Sequence, residues 1–271
     1  MFFLILAFCS SAMVSIVMRL SDGKIQNRMG MLAVNYVVCS LLAAADAGFG
    51  CLLPRNVVTL GLGFINGLFY LGGFVFFQRS VSRSGVVLSA TFMKLGLLVS
   101  MVISILFFGE VPGLMQLVGF LLAVTAIVLM NYKSGEGKFN MGLLLLLFIG
   151  GMCDGMSKIY EEVGDAALSG QFLFYTFFTA LVLCLVMGKG KLPGIREVCY
   201  GAAIGVPNFF ASQFMLQALS GVPGVIAYPV YSVAGILLVT MAGVLFFREK
   251  LEKRQWVALG IILVSLVLLN V

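Results

Sequence analysis

Residues 85–110 read GVVLSATFMKLGLLVSMVISILFFGE, and the reading of one position in that run, Lys94, decides how the chain is understood. At ~1.5 Å rise per residue, the run is long enough to cross ~30 Å of hydrocarbon. An ammonium near the middle of such a crossing costs roughly 2.5–3.5 kcal/mol on insertion scales. It therefore needs a cavity, a counter-ion or a ligand. A second run, GVIAYPVYSVAGILLVTMAGVLFFREK at residues 224–250, echoes the first.

The composition around these two runs is that of an integral membrane protein. Of 271 residues, 61% are hydrophobic and 10% charged, with a mean hydropathy of +1.12, where a soluble domain carries about 25% charged residues. The apolar residues come in blocks of helix-spanning length rather than in the alternating pattern of a barrel. The formal charge of +6 would point to nucleic acid on a soluble domain. Here the basic residues fall in short loops, as topology signals do, so no nucleic-acid partner is expected. The six cysteines show no paired spacing and read as small apolar residues. Histidine is absent, so proton coupling would have to use carboxylates or lysine.

Ten spans are expected, at residues 2–20, 31–49, 57–77, 85–108, 114–132, 139–160, 173–187, 198–219, 225–247 and 255–270. The first has no basic segment ahead of its apolar run and reads as a span rather than a cleaved leader. The loops are short, and no Walker loop, kinase set or dinucleotide glycine run is found. ATP hydrolysis by the chain itself is therefore not expected. The absence of a nucleophile–base set or a metal cluster argues against an enzyme, a metal site or a cofactor.

Sliding the chain by 139 positions lays residues 62–131 over 201–270 without a gap. Apolar matches carry little weight in such a chain, but scarce residues coincide: Gln78 with Gln217, Gly85 with Gly224, Gly96 with Gly235, Gln116 with Gln255, Asn131 with Asn270. Leu106-Phe107-Phe108-Gly109-Glu110 falls on Leu245-Phe246-Phe247-Arg248-Glu249. A duplicated five-span unit follows, residues 1–132 and 139–271. Five is odd, so the halves must insert in opposite orientations, the inverted repeat of secondary transporters, with a site near the midplane. The pairs Gly63/Gly67, Gly151/Gly155 and Gly201/Gly205 allow close helix approach. Pro207 and Pro229 inside spans each remove a helical N–H. Basic residues concentrate in loops after odd-numbered spans, which puts both termini outside.

Lys94 reads in two ways. It is a cation in a central cavity, meeting a substrate carboxylate or phosphate or releasing a proton on occupancy, or else half of a fixed ion pair between the halves. Its repeat partner is Val233, so the charge breaks the symmetry. Asp154 and Lys158 stand i, i+4 on one helical face and can pair there; Asp154 can instead answer Lys94 and couple binding to protonation. The candidate lining is polar: Asn35 and Tyr36, Asn66 and Tyr70, Gln78, Asn208, Gln213, Gln217, Tyr228 and Tyr231. Each alone is equally an interhelical hydrogen bond. Glu110 and Glu249 read as carboxylates favouring the N-termini of spans five and ten, and Trp256 as an interface anchor.

With the repeat and the Phe-Phe-Gly-Glu110 and Phe-Phe-Arg-Glu249 endings in view, the chain resembles the EamA family of the drug/metabolite transporter superfamily. In that family each half closes its fourth span with a Gly-Glu-type turn and enters its fifth near a Gln, as Glu110…Gln116 and Glu249…Gln255 do here. Tyr228-Pro229 is similar to the family's proline in span nine. Phe92-Met93-Lys94 resembles the lysine-bearing fourth span of nucleotide-sugar carriers in the superfamily. The resemblance implies ten transmembrane helices in two inverted repeats. It leaves the substrate among amino acids, sugars, nucleotide-sugars, amines and drugs. Family members are usually drawn with both termini inside, opposite to this chain's charge bias. The expectation is a multi-pass plasma-membrane carrier, monomer or homodimer. It would move a small anionic or zwitterionic metabolite by alternating access, with protons as a possible coupling partner. A translocase of lipid-linked sugar or lipid, and a scaffold subunit without transport, fit the same architecture.

Overall fold

The computed structural model describes residues 2–48, 56–108, 113–131, 140–189, 191–219 and 224–268. Among these the chain is helical: α1 (Phe2–Ser21), α2 (Arg28–Asp46), α3 (Val57–Ser84), α4 (Val86–Lys94), α5 (Leu97–Phe108), α6 (Leu114–Asn131), α7 (Met141–Val163), α8 (Ser169–Met187), α9 (Ile195–Leu219), α10 (Gly224–Leu245) and α11 (Lys253–Leu268), with a 3-10 turn at Ala166–Leu168. Five of the described helical segments are long and apolar enough to cross a membrane: Phe2–Ser21, Arg28–Asp46, Val57–Ser84, Met141–Val163 and Ala166–Met187. The apolar stretches Leu114–Ala126 and Val230–Leu245 are shorter.

Helix starts follow local chemistry. Asn27 and Asn56 cap α2 and α3, their side-chain oxygens accepting from the N–H groups of Gly30 and Val58 at 2.8 Å. The repeated glutamines act alike. Gln116 Oε1 accepts from Gly113 N–H at 3.0 Å, and Gln255 Oε1 from Glu252 N–H at 2.9 Å. Each reaches back three residues to a donor that the helix cannot satisfy.

The stretch expected as one fourth span is two helices. After Lys94 the bonding tightens to i→i+3, with Gly96 N–H on Met93 O at 3.2 Å and Val99 N–H on Gly96 O at 2.8 Å. The break coincides with a close backbone approach. A Cβ on Gly96 would lie 2.5 Å from the amide nitrogen of Gly151, so the α4–α5 break and α7 touch through bare glycines. Periodicity carries no trace of this, because the apolar run continues across the break.

The helices interlock between the two sequence halves. Gly63 and Gly67 of α3 lie against Tyr175, Thr176 and Thr179 of α8, and Gly201 and Gly205 of α9 lie against Met31, Val34, Asn35 and Val38 of α2. In both pairs residue numbers rise together, so those helices run parallel. α4 and α10 run antiparallel, Val87 lying beside Gly243 and Lys94 beside Gly235. Partners repeat on exchange of halves: α1 packs on α9 and α10, while α7 packs on α3 and on the α4–α5 pair. α6 and α11 pack together, joined by Ser265 Oγ donating to Gly119 O at 2.7 Å.

Glu249 corrects one expectation. It does not serve the start of α11, the tenth expected span. Its carboxylate accepts from Val86 N–H at 2.7 Å and Val87 N–H at 3.1 Å, capping α4 from the other half of the chain. Gly85 makes room for it: with φ +83, a Cβ there would stand 2.8 Å from the carboxylate. Glu110 lies outside the described residues.

Candidate functional site

Lys94 is the last residue of α4, at the point where the helix breaks. A helix C-terminus favours a cation, and this one stands inside the bundle rather than at its rim. The ammonium lies 3.5 Å from the centre of the Tyr231 ring on α10, a close cation–π contact. The stem passes Gly235, one turn further along α10, where a Cβ would approach Lys94 Cε to 3.3 Å. A glycine at that position is what admits the side chain.

Lys94 borders a cavity of about 150 Å³. Asp154, on α7, lines the same cavity. Among the described residues neither is in an ion pair within 4 Å. The site therefore presents an amine and a carboxyl group to the same small space. Around them are Tyr70 and Asn66 of α3, Asn208 and Ser212 of α9, and the apolar walls Phe74, Phe77, Phe172 and Met93.

Tyr70 shares a 2.8 Å hydrogen bond with the Ser212 hydroxyl. Asn66, 1% exposed, donates through Nδ2 to Thr176 Oγ1 at 3.4 Å. Its Oδ1 has no hydrogen-bond partner among the described residues. A buried acceptor left in this way calls for a donor on a ligand or a water.

The other residues singled out from the sequence stand elsewhere. Asn35 is buried between α2 and α9, its Oδ1 accepting from Asn208 Nδ2 at 3.2 Å. Asn208 both lines the cavity and makes this interhelical bond. Gln213 donates to Asp46 Oδ2 at 2.9 Å on an exposed surface. Lys158 pairs with Glu162 at 2.7 Å and Glu161 at 3.9 Å, toward the end of α7, in place of the i, i+4 pairing with Asp154. The side chain of Tyr228 lies outside the described residues. Ser11, Ser15, Ser157 and Cys153, not among the residues expected from the sequence, also line the cavity. The signal for the first two is an i, i+4 hydroxyl pair on one face of the largely apolar α1.

A helical membrane protein with an amphoteric cavity between interlocked halves is the class that this geometry defines. Residues 1–132 and again 141–271 match the EamA-like transporter family, and the chain belongs to it. An uncharacterized protein of Haemophilus influenzae is 25% identical over 204 residues, 72% of this chain and 69% of that protein. The spermidine export protein MdtI of Cronobacter sakazakii is 30% identical over 77 residues, 28% of this chain and 71% of MdtI. A protein of known crystal structure superposes with a TM-score of 0.62 at 15% identity, covering 98% of this chain and 97% of the other. That likeness is one of fold.

Proposed function

We propose that the protein is a secondary active transporter of the plasma membrane that moves a small zwitterionic or anionic metabolite by alternating access. In this reading ten spans form two inverted five-helix repeats. The α4–α5 pair counts as the fourth span, with the solute site on the pseudo-symmetry axis where α4 and α10 cross antiparallel. The observation that carries it is Lys94 and Asp154 facing one cavity, each without an ion pair among the described residues. A solute carboxylate would meet the ammonium, and a solute ammonium or other donor would meet Asp154 and the free Asn66 oxygen. A dry cavity of roughly 150 Å³ holds a benzene-sized molecule, which suits an amino acid-like solute and is small for a lipid-linked sugar. A polyamine of the kind exported by MdtI would satisfy Asp154 but leave a second cation against Lys94.

Binding to the purified protein tests this, with matched compounds carrying both charges, the carboxylate alone or the amine alone. The doubly charged member should bind tightest, and Asp154→Asn should abolish its advantage over the simple carboxylate. Asp154→Asn should also flatten the pH dependence of transport if the proton is exchanged there. Preference for the bare amine, or indifference to the series, would remove the assignment.

A further inference from the structure

Among the described residues, the contacts that join the two halves through charge lie at one end of the molecule. The single inter-half ion pair among the described residues is Arg19 Nε to Glu249 Oε1, at 3.4 Å. Glu249 also holds the N–H groups of Val86 and Val87. Glu197, at the first turn of α9, accepts from the N–H groups of Gln26 and Asn27 at 3.0 and 3.2 Å. Two carboxylates of the second half thus each grip a pair of backbone amides in the first. The grip is reinforced from behind. Arg19 also meets Asp22 at 3.2 Å, Ser82 donates to Asp22, and the Arg19 guanidinium stands 5.9 Å from the Phe247 ring.

The cavity lies on the other side of this layer. From Lys94, Phe77 and Val239 it runs toward the start of α8 and the end of α9, where Ser157, Met215 and Leu216 line it and are partly exposed. At that opposite end the inter-half polar contact described is the exposed Gln213–Asp46 hydrogen bond, at 2.9 Å.

We infer that the Glu249–Arg19 contact, with the Val86 and Val87 amides, is a gate: closed here, it must open for the cavity to reach the other face of the membrane. The inference rests on the alternating-access reading. The gate's chemistry suits a reversible closure. Both Glu249 acceptors and the Arg19 donor are at the rim of the bundle, with side chains 11% and 28% exposed, so water can replace each partner when the halves part. The amides freed on opening are the first N–H groups of α4, the helix that ends at Lys94. Solute held at one end of α4 and the latch at the other are therefore joined by nine residues of continuous helix. The gated end carries the basic loops that the charge rule assigns to the cytoplasm, so this conformation faces outward.

The test uses Cys153, which lines the cavity and is 9% exposed. With the other cysteines replaced, a membrane-impermeant maleimide is applied from either face in right-side-out and inverted vesicles. The unaltered gate should allow labelling from the face opposite the basic loops and little from the basic-loop face. Glu249→Gln and Arg19→Gln should each speed labelling from the basic-loop face about tenfold, within the usual range for coupling between two states. Arg19→Lys should restore most of the difference. Labelling from the opposite face reports folding in every variant. If both neutral variants keep that labelling and react from the basic-loop face at the original rate, the gate is overturned. Should neither Cys153 nor Ser157→Cys, at the partly exposed end of the cavity, react from either face in any form, it is the carrier reading itself that fails.

Discussion

Replacing Lys94 by methionine separates a solute-binding lysine from a structural one, because the two roles predict changes in opposite quantities. The substitution keeps the length of the stem beside Gly235 and removes the ammonium. Within the bundle it forfeits a cation–π contact worth up to about 2 kcal/mol when desolvated. It also relieves a burial cost of roughly 2.5–3.5 kcal/mol. With no ion pair to break among the described residues, the sum is close to zero or slightly stabilising. Binding responds otherwise. A charge-assisted hydrogen bond to a solute carboxylate contributes about 1.5–3 kcal/mol, so its loss weakens affinity roughly ten- to hundredfold. Thermal unfolding in detergent and calorimetric titration with carboxylate-bearing solutes measure both on one preparation. The expected pattern is an unchanged or raised midpoint with affinity lost. A large fall in midpoint with affinity retained would mean that Lys94 braces the halves, and the site would have to be sought elsewhere.

Two further outcomes follow from contacts already described. Gly151→Val should cost about 1–3 kcal/mol by overpacking. A Cβ there already stands 2.5 Å from the Val99 side chain. Gly260→Ala in α11, with open space around it, should instead stabilise by up to ~1 kcal/mol; equal midpoints for the two variants would contradict the packing described. Glu197 gives a pH dependence. The amides of Gln26 and Asn27 hold its carboxyl below the ordinary carboxylate range. A lowered folded-state pKa contributes stability above the unfolded value and loses it as pH falls through the folded one. Glu197→Gln should therefore reduce stability near neutrality and flatten its decline on acidification, read from unfolding midpoints across acidic to neutral pH.

Much of the architecture was written in scarce residues. Gln78 and Gln217, or Gln116 and Gln255, reveal the repeat because glutamine is infrequent in this apolar chain. The latter two glutamines proved to cap equivalent helices in the same way. Lys94 announced itself through cost alone. What stayed hidden depended on partners far away in the chain. Glu249 reads locally as the start of the next helix, since its amide donors are more than 160 residues away in sequence. The break after Lys94 coincides with a close approach of Gly151 across the bundle, and nothing in the apolar run marks it. Asn35 and Asn66 are indistinguishable as isolated polar residues within spans. Only the packed helices determine that the first accepts from Asn208 while the second lines the cavity with a buried acceptor that has no partner among the described residues.

The crossed pairing of α3 with α8 and of α2 with α9 has a consequence during synthesis. Gly67 leaves the ribosome about 100 residues before Thr176, a delay of roughly 5–20 s at ordinary elongation rates. Through that interval the glycine-lined grooves of the nascent chain face lipid or a chaperone, with their eventual occupants still untranslated. Assembly must then thread later helices into slots kept vacant for them, so that neither portion can mature ahead of its twin.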